Sequence, residues 1–266
     1  MQGLPGNVAA LRPPLKWAGG KRWQIPHIRP LWEAHRDRRL VEPFCGGLAV
    51  VLGLAPAAAL LNDVNPHLIN FYRWLKRGLQ VDLPMANDRA LYYRHRQRFN
   101  ALLADDCHRT REAAALFYFL NRTGYNGLCR FNRTGGFNVP FGRYTRIAYT
   151  RDFSRYQAAF ADWRFTCTDI ARVRFTADDF VYADPPYDVP FTQYAAGGFA
   201  WADQVRTAEL LSSHPGPVVL ANQATPRIRD LYRQLGYATT ELDAPRRISR
   251  TGDRSPAREV LATRNV

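Results

Sequence analysis

Lysine is nearly missing from this chain. Of 37 basic residues only Lys16, Lys21 and Lys76 are lysine, and the other 34 are arginine. A GC-rich coding sequence gives the same bias, yet it singles out three positions that carry a compact ammonium instead of a planar guanidinium. Cysteine is scarce as well. Cys45, Cys107, Cys129 and Cys167 are scattered with no Cys-x-x-Cys pair, which argues against a disulfide framework and a zinc ribbon and for a reduced, cytoplasmic protein. The six histidines do not cluster, so no metal is expected. The longest apolar run, Leu48–Leu61, has 14 residues and is broken by Gly53 and Pro56. A membrane span needs about 18 to 20, so no membrane partner is expected. Residues 1–15 lack a basic start followed by an apolar stretch, and no export signal is expected. Internal repeats and low-complexity tracts are absent.

Acidic residues are outnumbered, 23 to 37, for a net charge of +14. A balance that basic suits a polyanionic partner, most often nucleic acid. The charge is unevenly spread. Residues 1–65 carry a net +4, residues 66–165 carry 17 basic and 7 acidic side chains for a net +10, and residues 166–266 are neutral. The middle block reads either as an inserted nucleic-acid-binding segment or as a solvated helical surface.

A length of 266 residues suits one large domain, or one domain with an insertion. Apolar runs at Leu40–Phe44, Ala58–Leu61, Phe180–Ala183 and Pro217–Ala221 predict buried strands. Gly47–Leu54, Asp203–Ser213 and Pro226–Leu235 predict helices between them, and the alternation points to an α/β sheet. Leu68–Arg77, Ala90–Leu103 and Glu112–Leu120 predict helices, and residues 122–144 predict a Gly- and Asn-rich hairpin. A helical, basic block thus sits between two halves of a sheet.

Four segments carry candidate chemistry. Asp184-Pro185-Pro186-Tyr187 follows the strand Phe180–Ala183 directly. Open α/β sheets bind ligands at the carboxyl ends of their strands, although the same four residues also suit an exposed turn. The chemistry fits an exocyclic amine, whose lone pair is delocalised into its ring. Asp184 accepts one N–H and the Pro185 carbonyl the other, which aims the lone pair at an electrophile. Both prolines stiffen the loop, and Tyr187 offers a face for a base that has left its stack. Glu42-Pro43-Phe44-Cys45-Gly46-Gly47 is a strand end and glycine turn, with Asp63 at the next strand end to bind ribose hydroxyls. It does not fit G-x-G-x-x-G, which disfavours a nicotinamide cofactor. Lys16-Trp17-Ala18-Gly19-Gly20-Lys21 holds two of the three lysines; Arg22 follows where a P-loop needs Ser or Thr. An ammonium beside an indole suits a small zwitterion, and the segment also reads as a plain basic loop. Asn121–Tyr144 interleaves Arg122, Arg130, Arg133 and Arg143 with Tyr125, Phe131, Phe137, Phe141 and Tyr144, and adds Asn126, Asn132 and Asn138. Such a set equips a DNA reader with phosphate, base-edge and stacking contacts, or else builds a glycine-rich surface hairpin.

Taken together and in this order, with Asn62-Asp63-Val64-Asn65 between the second motif and the basic block, these segments strongly resemble the Dam-type DNA adenine-N6 methyltransferases, the D12 class. The resemblance runs from Lys16 to Asn265. It implies an α/β fold: a mixed, seven-stranded, Rossmann-like methyltransferase sheet with an inserted, mostly helical DNA-recognition domain. Residues 1–65 and 163–266 would form the catalytic domain and 66–162 the target-recognition domain. It implies S-adenosylmethionine as methyl donor, S-adenosylhomocysteine as product, no metal, and double-stranded DNA as partner. Trp17, Ala18, Gly19, Lys21, Glu42, Phe44, Gly46, Asp63, Asp169 and Asp184 would bind the cofactor. Asp184, Pro185, Pro186 and Tyr187 would form the catalytic motif, acting on an adenine flipped from the duplex. Lys16, Tyr125, Asn126, Leu128, Arg130 and Pro140 fall on base-reading positions, and Asn132, Asn138 and Arg143 on phosphate-contact positions. The matches look most like the members that methylate the adenine of GATC. A bacterial or phage-encoded monomer is expected, with or without a restriction partner. Asp-Pro-Pro-Tyr also suits an N4-cytosine or RNA adenine methyltransferase, or a catalytically silent DNA-binding relative. Three departures stand out: Thr123 replaces a common aromatic residue, the loop 188–200 is shorter than in some relatives, and Arg246–Arg250 is loosely matched.

Overall fold

The structure is a computed structural model that describes residues 11–188, 198–245 and 257–266. Most of the loop after Asp188 and all of Arg246–Arg250 lie outside the described residues.

After a short 3-10 turn, Arg22–Gln24, the chain alternates helix and strand: α1 (Ile25–Glu33), β1 (Leu40–Glu42), α2 (Ala49–Leu54) and β2 (Ala59–Asn62). Three helices follow, α3 (Pro66–Lys76), α4 (Arg89–Ala104) and α5 (Arg111–Thr123), and then the hairpin segment and α6 (Ser154–Ala159). The chain re-enters the sheet with β3 (Trp163–Thr166) and β4 (Phe180–Ala183), and continues through α7 (Trp201–Ser212), β5 (Val218–Gln223) and α8 (Pro226–Gln234) to β6 (Ala238–Ala244) and β7 (Ala257–Arg264). The sheet has seven strands in the order β3-β2-β1-β4-β5-β7-β6. Neighbouring strands from β3 to β5 are parallel, and β7 runs antiparallel between β5 and β6. This is the mixed, seven-stranded, Rossmann-like sheet that the resemblance implies.

Local chemistry explains the element ends. Pro43 has no N–H to give a neighbouring strand, and β1 stops at Glu42 instead of reaching Phe44. Leu48 adopts a left-handed conformation, so α2 starts at Ala49. The Asn65 side chain accepts the N–H groups of His67 and Leu68, with Pro66 in the first turn of α3. Asp88, Thr110 and Thr225 cap α4, α5 and α8 in the same way. Strands β3, β6 and β7, and helices α1 and α6, are not expected from apolar runs. The solvent-facing pattern of β6, with only Ala244 buried, shows why that strand is hard to see.

Alternation along the central strands divides the core. Leu40, Leu61, Phe180 and Tyr182 face one side, and Val41, Leu60, Val181 and Ala183 the other. The first cluster continues without a break into the 66–162 block, where Phe71, Phe99, Phe117 and Phe119 are fully buried. The Lys76 ammonium donates to the Trp163 carbonyl at 2.7 Å, and the Arg73 guanidinium to that of Phe165 at 2.9 and 3.2 Å. Helix α3 is therefore fastened to β3, across the expected domain boundary.

Candidate active site and nucleic-acid interface

Strands β1, β2 and β4 end side by side, and the loops that follow them bring three sequence motifs together. At the end of β4, the Lys21 ammonium lies 3.1 Å from Asp184 Oδ2. It also donates to the Gly19 carbonyl at 2.7 Å and sits 4.5 Å from the centre of the Tyr187 ring. Lys21 is 5% exposed, the one cation among the described residues that is fully buried; a buried ammonium needs such partners. Asp184 Oδ1 is buried and has no hydrogen-bond partner. Burial raises the Asp184 pKa to about 6 against the pull of Lys21, and Glu259 adds to the rise.

The ring of Tyr187 is held from behind. Its hydroxyl donates to Glu259 Oε2 at 2.6 Å, and the Gln24 amide donates to the same oxygen at 2.7 Å. Tyr182 in turn donates to Gln24 at 2.9 Å. A second relay fixes the prolines: Gln204 donates to the Pro186 carbonyl at 2.7 Å, and Asn222 to Gln204 at 2.9 Å. The Pro185 carbonyl accepts from no group among the described residues. Two acceptors, Asp184 Oδ1 and the Pro185 carbonyl, are thus left open among the described residues, on a stiff loop.

The turn after β1 faces Asp63. One Asp63 oxygen accepts the Gly46 N–H at 3.2 Å and the other that of Asn65 at 2.9 Å. Burial raises its pKa to about 6 in spite of these bonds. Glycine at 46 and 47 serves the approach of Trp17: a Cβ on Gly47 would lie 2.7 Å from the Trp17 Cβ, and one on Gly46 would lie 3.0 Å from the indole nitrogen. Glu42 is buried, with one oxygen unpartnered and its pKa pushed up by burial. Phe44 meets Phe199 edge to face. Asn62 ties the loops after β1 and β3 together through Pro43 and Thr168. Asp169 follows β3, and both its oxygens are held by the Arg206 guanidinium at 2.7 and 2.9 Å. Ala18 and Gly19 are exposed beside Lys21.

Segment 124–142 is a hairpin with isolated antiparallel bridges Gly124–Phe141 and Phe131–Phe137. Tyr125, Asn126, Leu128, Arg130 and Pro140 are all exposed. Lys16 joins it from the N-terminal loop. Its ammonium is 3.6 Å from the centre of the Tyr144 ring, and burial and the nearby Arg122 lower its pKa. The buried Asn121 side chain accepts the Lys16 N–H at 2.9 Å and donates to the carbonyls of Lys16 and Gly127. The Arg130 guanidinium donates to Asn138 Oδ1 at 2.8 Å. Asn132 Oδ1 accepts from Thr134 and Gly136, so it builds the hairpin tip. Arg143 is exposed, with no carboxylate against it among the described residues.

The aromatic residues of this segment divide. Phe137 is buried, Phe131 stacks on His67 at 4.6 Å, and Phe141 packs against Tyr92. Their reading as wedges or stacking platforms gives way to core packing, and Tyr125 alone of the five is strongly exposed, at 52%. Thr123 is buried, its hydroxyl bonded to Phe119. The roles of Glu259, Gln24, Asn62 and Gln204 emerge only in the folded chain. Glu259 carries one signal in the sequence, a carboxylate opening the apolar run Val260-Leu261-Ala262.

Comparison with known proteins agrees with this geometry. The family model of the D12 class N6 adenine-specific DNA methyltransferases matches residues 17–248. The DNA N-6-adenine-methyltransferase of Escherichia phage P1 is 38% identical over 92% of this chain, which spans only 34% of that longer protein. The Retron Ec67 DNA adenine methylase of Escherichia coli is 34% identical, covering 93% of this chain and 90% of its own. The DNA adenine methylase of Vibrio cholerae serotype O1 is 37% identical, covering 93% and 94%.

Proposed function

The chain belongs to the D12 class of N6 adenine-specific DNA methyltransferases, and from that premise we propose that it methylates N6 of the adenine in GATC in duplex DNA, with S-adenosylmethionine as donor. The observation that carries the reading is the pair of open acceptors on the loop after β4, beside a carboxylate-lined turn. An amine with two hydrogens is matched by Asp184 Oδ1 and the Pro185 carbonyl. An N6 held by both donates both hydrogens, and its lone pair is directed out of the base plane.

The residues present fit the donor. Asp63 can accept ribose hydroxyls, Trp17 lines the glycine turn, and Glu42 has a buried oxygen unpartnered for a donor such as an ammonium. When bound, S-adenosylmethionine supplies a methyl group on a sulfonium centre, already a strong electrophile. No potent base is therefore needed from the protein. Asp184 has to accept a hydrogen bond and stabilise developing positive charge on N6; the proton can leave afterwards. Lys21 steadies the carboxylate, and Glu259 and Gln24 hold Tyr187 where an extruded base would stack. The exposed side of the hairpin, with Lys16, offers contacts for base edges. The enzyme acts as a monomer, in the cytoplasm where DNA is accessible; no helix among the described residues is long and apolar enough to cross a membrane.

The test is expression in a host lacking adenine methylation. Host and plasmid DNA are then digested with endonucleases that distinguish methylated from unmethylated GATC. Protection at GATC, with N6-methyladenine among the nucleosides, is expected. N4-methylcytosine, or protection at another sequence, would overturn the assignment.

A further inference from the structure

A basic cleft of about 660 Å³ lies along the outer edge of β3; it borders the site above at Thr168, which Asn62 holds, and none of its cations is a group placed in that site. Seven of its lining residues are cations, drawn from α3, β3, the segment after β3 and Arg39. Three are accounted for by the fold. Arg39 is paired with the buried Asp179 at 2.7 and 2.8 Å. Arg73 and Lys76 cover two carbonyls of β3, which pairs on one side only; blunting an exposed sheet edge is a sufficient reason for them. Arg77 lies over Trp74. Arg164, Arg172 and Arg174 are exposed and have no carboxylate at salt-bridge distance among the described residues. Like charges gathered on one concave surface repel, and a polyanion relieves that repulsion.

The position of the cleft matters. The N-terminal cap of α3, Asn65, touches Cys129 of the hairpin at 3.4 Å, and the C-terminal end of α3 lines the cleft. An 11-residue helix separates the two, about 16 Å at 1.5 Å per residue. Duplex DNA advances about 3.4 Å per base pair, so the separation corresponds to about five base pairs. A cleft of this size admits a phosphodiester edge, not a whole duplex.

We propose that the cleft beside β3 is a second phosphate-binding surface, which holds the backbone of the duplex outside the recognised sequence. The inference rests on the reading of the chain as an enzyme of duplex DNA. It adds a sequence-independent contact, made by Arg164, Arg172 and Arg174, that a substrate trimmed to the recognised site cannot make.

The experiment compares the full chain with the double variant Arg164→Gln, Arg174→Gln. Both side chains are exposed and hold nothing in the fold, so the variant is expected to fold as the parent does. Binding and methylation are measured on a duplex of about 8 base pairs with one central site, which ends short of a contact about five base pairs away, and on one of about 40 base pairs. On the short duplex the two proteins should bind and methylate alike. On the long duplex the variant should bind about tenfold more weakly at moderate salt, and its slope of log K against log salt should flatten by about 2, for two lost phosphate contacts. Unchanged affinity and slope on the long duplex would overturn the proposal. Equal loss on both lengths would also overturn it, by placing these arginines in the primary interface. Inorganic triphosphate is the third probe: if the variant loses only its binding, the cleft takes a free polyphosphate and the DNA assignment fails. A parent protein that binds both duplexes but methylates neither would indict the proposed function, while the salt slopes would still decide whether the cleft holds DNA.

Discussion

Burial governs the working range of Asp184. Its carboxylate must accept a hydrogen bond, and only the ionised form leaves both oxygens free to do so. With its pKa raised to about 6 by desolvation, it is protonated below that value and ionised above it. Methyl transfer should therefore rise with pH through about 6 and level off above it. Asp63 rises to about 6 for the same reason, so the KM for the methyl donor should climb as pH falls through that range. Initial-rate profiles with the donor saturating and limiting separate the two. Asp184→Ala should lower kcat by at least about a thousandfold while DNA affinity stays near that of the parent; substantial residual turnover would remove Asp184 from the mechanism. Glu259 is a positioning residue: it holds the Tyr187 hydroxyl and acts on Asp184 only through its charge, with no bond to it. Glu259→Leu orphans two donors, the Tyr187 hydroxyl and the Gln24 amide, and buried donors left unpaired cost about 1–3 kcal/mol each. Its expected signature is a fall in kcat at nearly constant KM for DNA, whereas Glu259→Gln keeps an acceptor and should recover much of the rate. A loss confined to thermal stability would assign Glu259 to folding alone.

The hairpin 124–142 owes its shape to elements outside it. Tyr92 and Arg96 of α4 donate to the Val139 carbonyl, and Asn100 clamps both backbone groups of Phe137. Asn121, on the last turn of α5, binds Lys16 to Gly127. Gly127 has φ +64°, and a Cβ there would run into the Lys16 side chain. Gly127→Ala therefore meets a left-handed penalty of about 1–2 kcal/mol and a clash that must separate hairpin from N-terminal loop. The melting temperature should drop, and discrimination between cognate and single-mismatch duplexes should fall more than nonspecific binding does. Asn138 orients Arg130 through 2.8 Å. Arg130→Ala should relax recognition at one base pair by about 1–3 kcal/mol, and Asn138→Ala should relax the same position by less. A uniform loss on all sequences would instead mark Arg130 as a phosphate contact.

Across the whole molecule one apolar cluster joins a sheet face to the inserted block, with Tyr72 of α3 also donating to the Gly46 carbonyl at 2.6 Å. The block and the catalytic layer should therefore melt together: calorimetry of the full chain is expected to show one cooperative transition, and an excised 66–162 fragment none. Two separate transitions would establish independent folding units. Much of this organisation was legible in the chain. The parallel strands β1, β2, β4 and β5 appear as short apolar runs because both their faces are buried, and the motifs sit at the carboxyl ends of the first three, where loops converge. The caps Asn65, Asp88, Thr110 and Thr225 are local and equally readable. Order, spacing and residue type alone singled out the tetrapeptide 184–187, the turn 42–47 and the lysine pair 16 and 21. Sequence alone could not give the partners, because they are contacts between segments far apart in the chain. Lys21 reaches Asp184, Tyr187 reaches Glu259, and Lys76 reaches the Trp163 carbonyl of the edge strand. Phe131 and Phe137 have the composition of stacking groups, but packing buries or covers them. The same applies to charge: the chain sets +14 and its concentration in the middle block, but only the fold gathers arginines of that block and of the neutral C-terminal third around one cleft, since burial and proximity belong to the tertiary structure and leave no local trace.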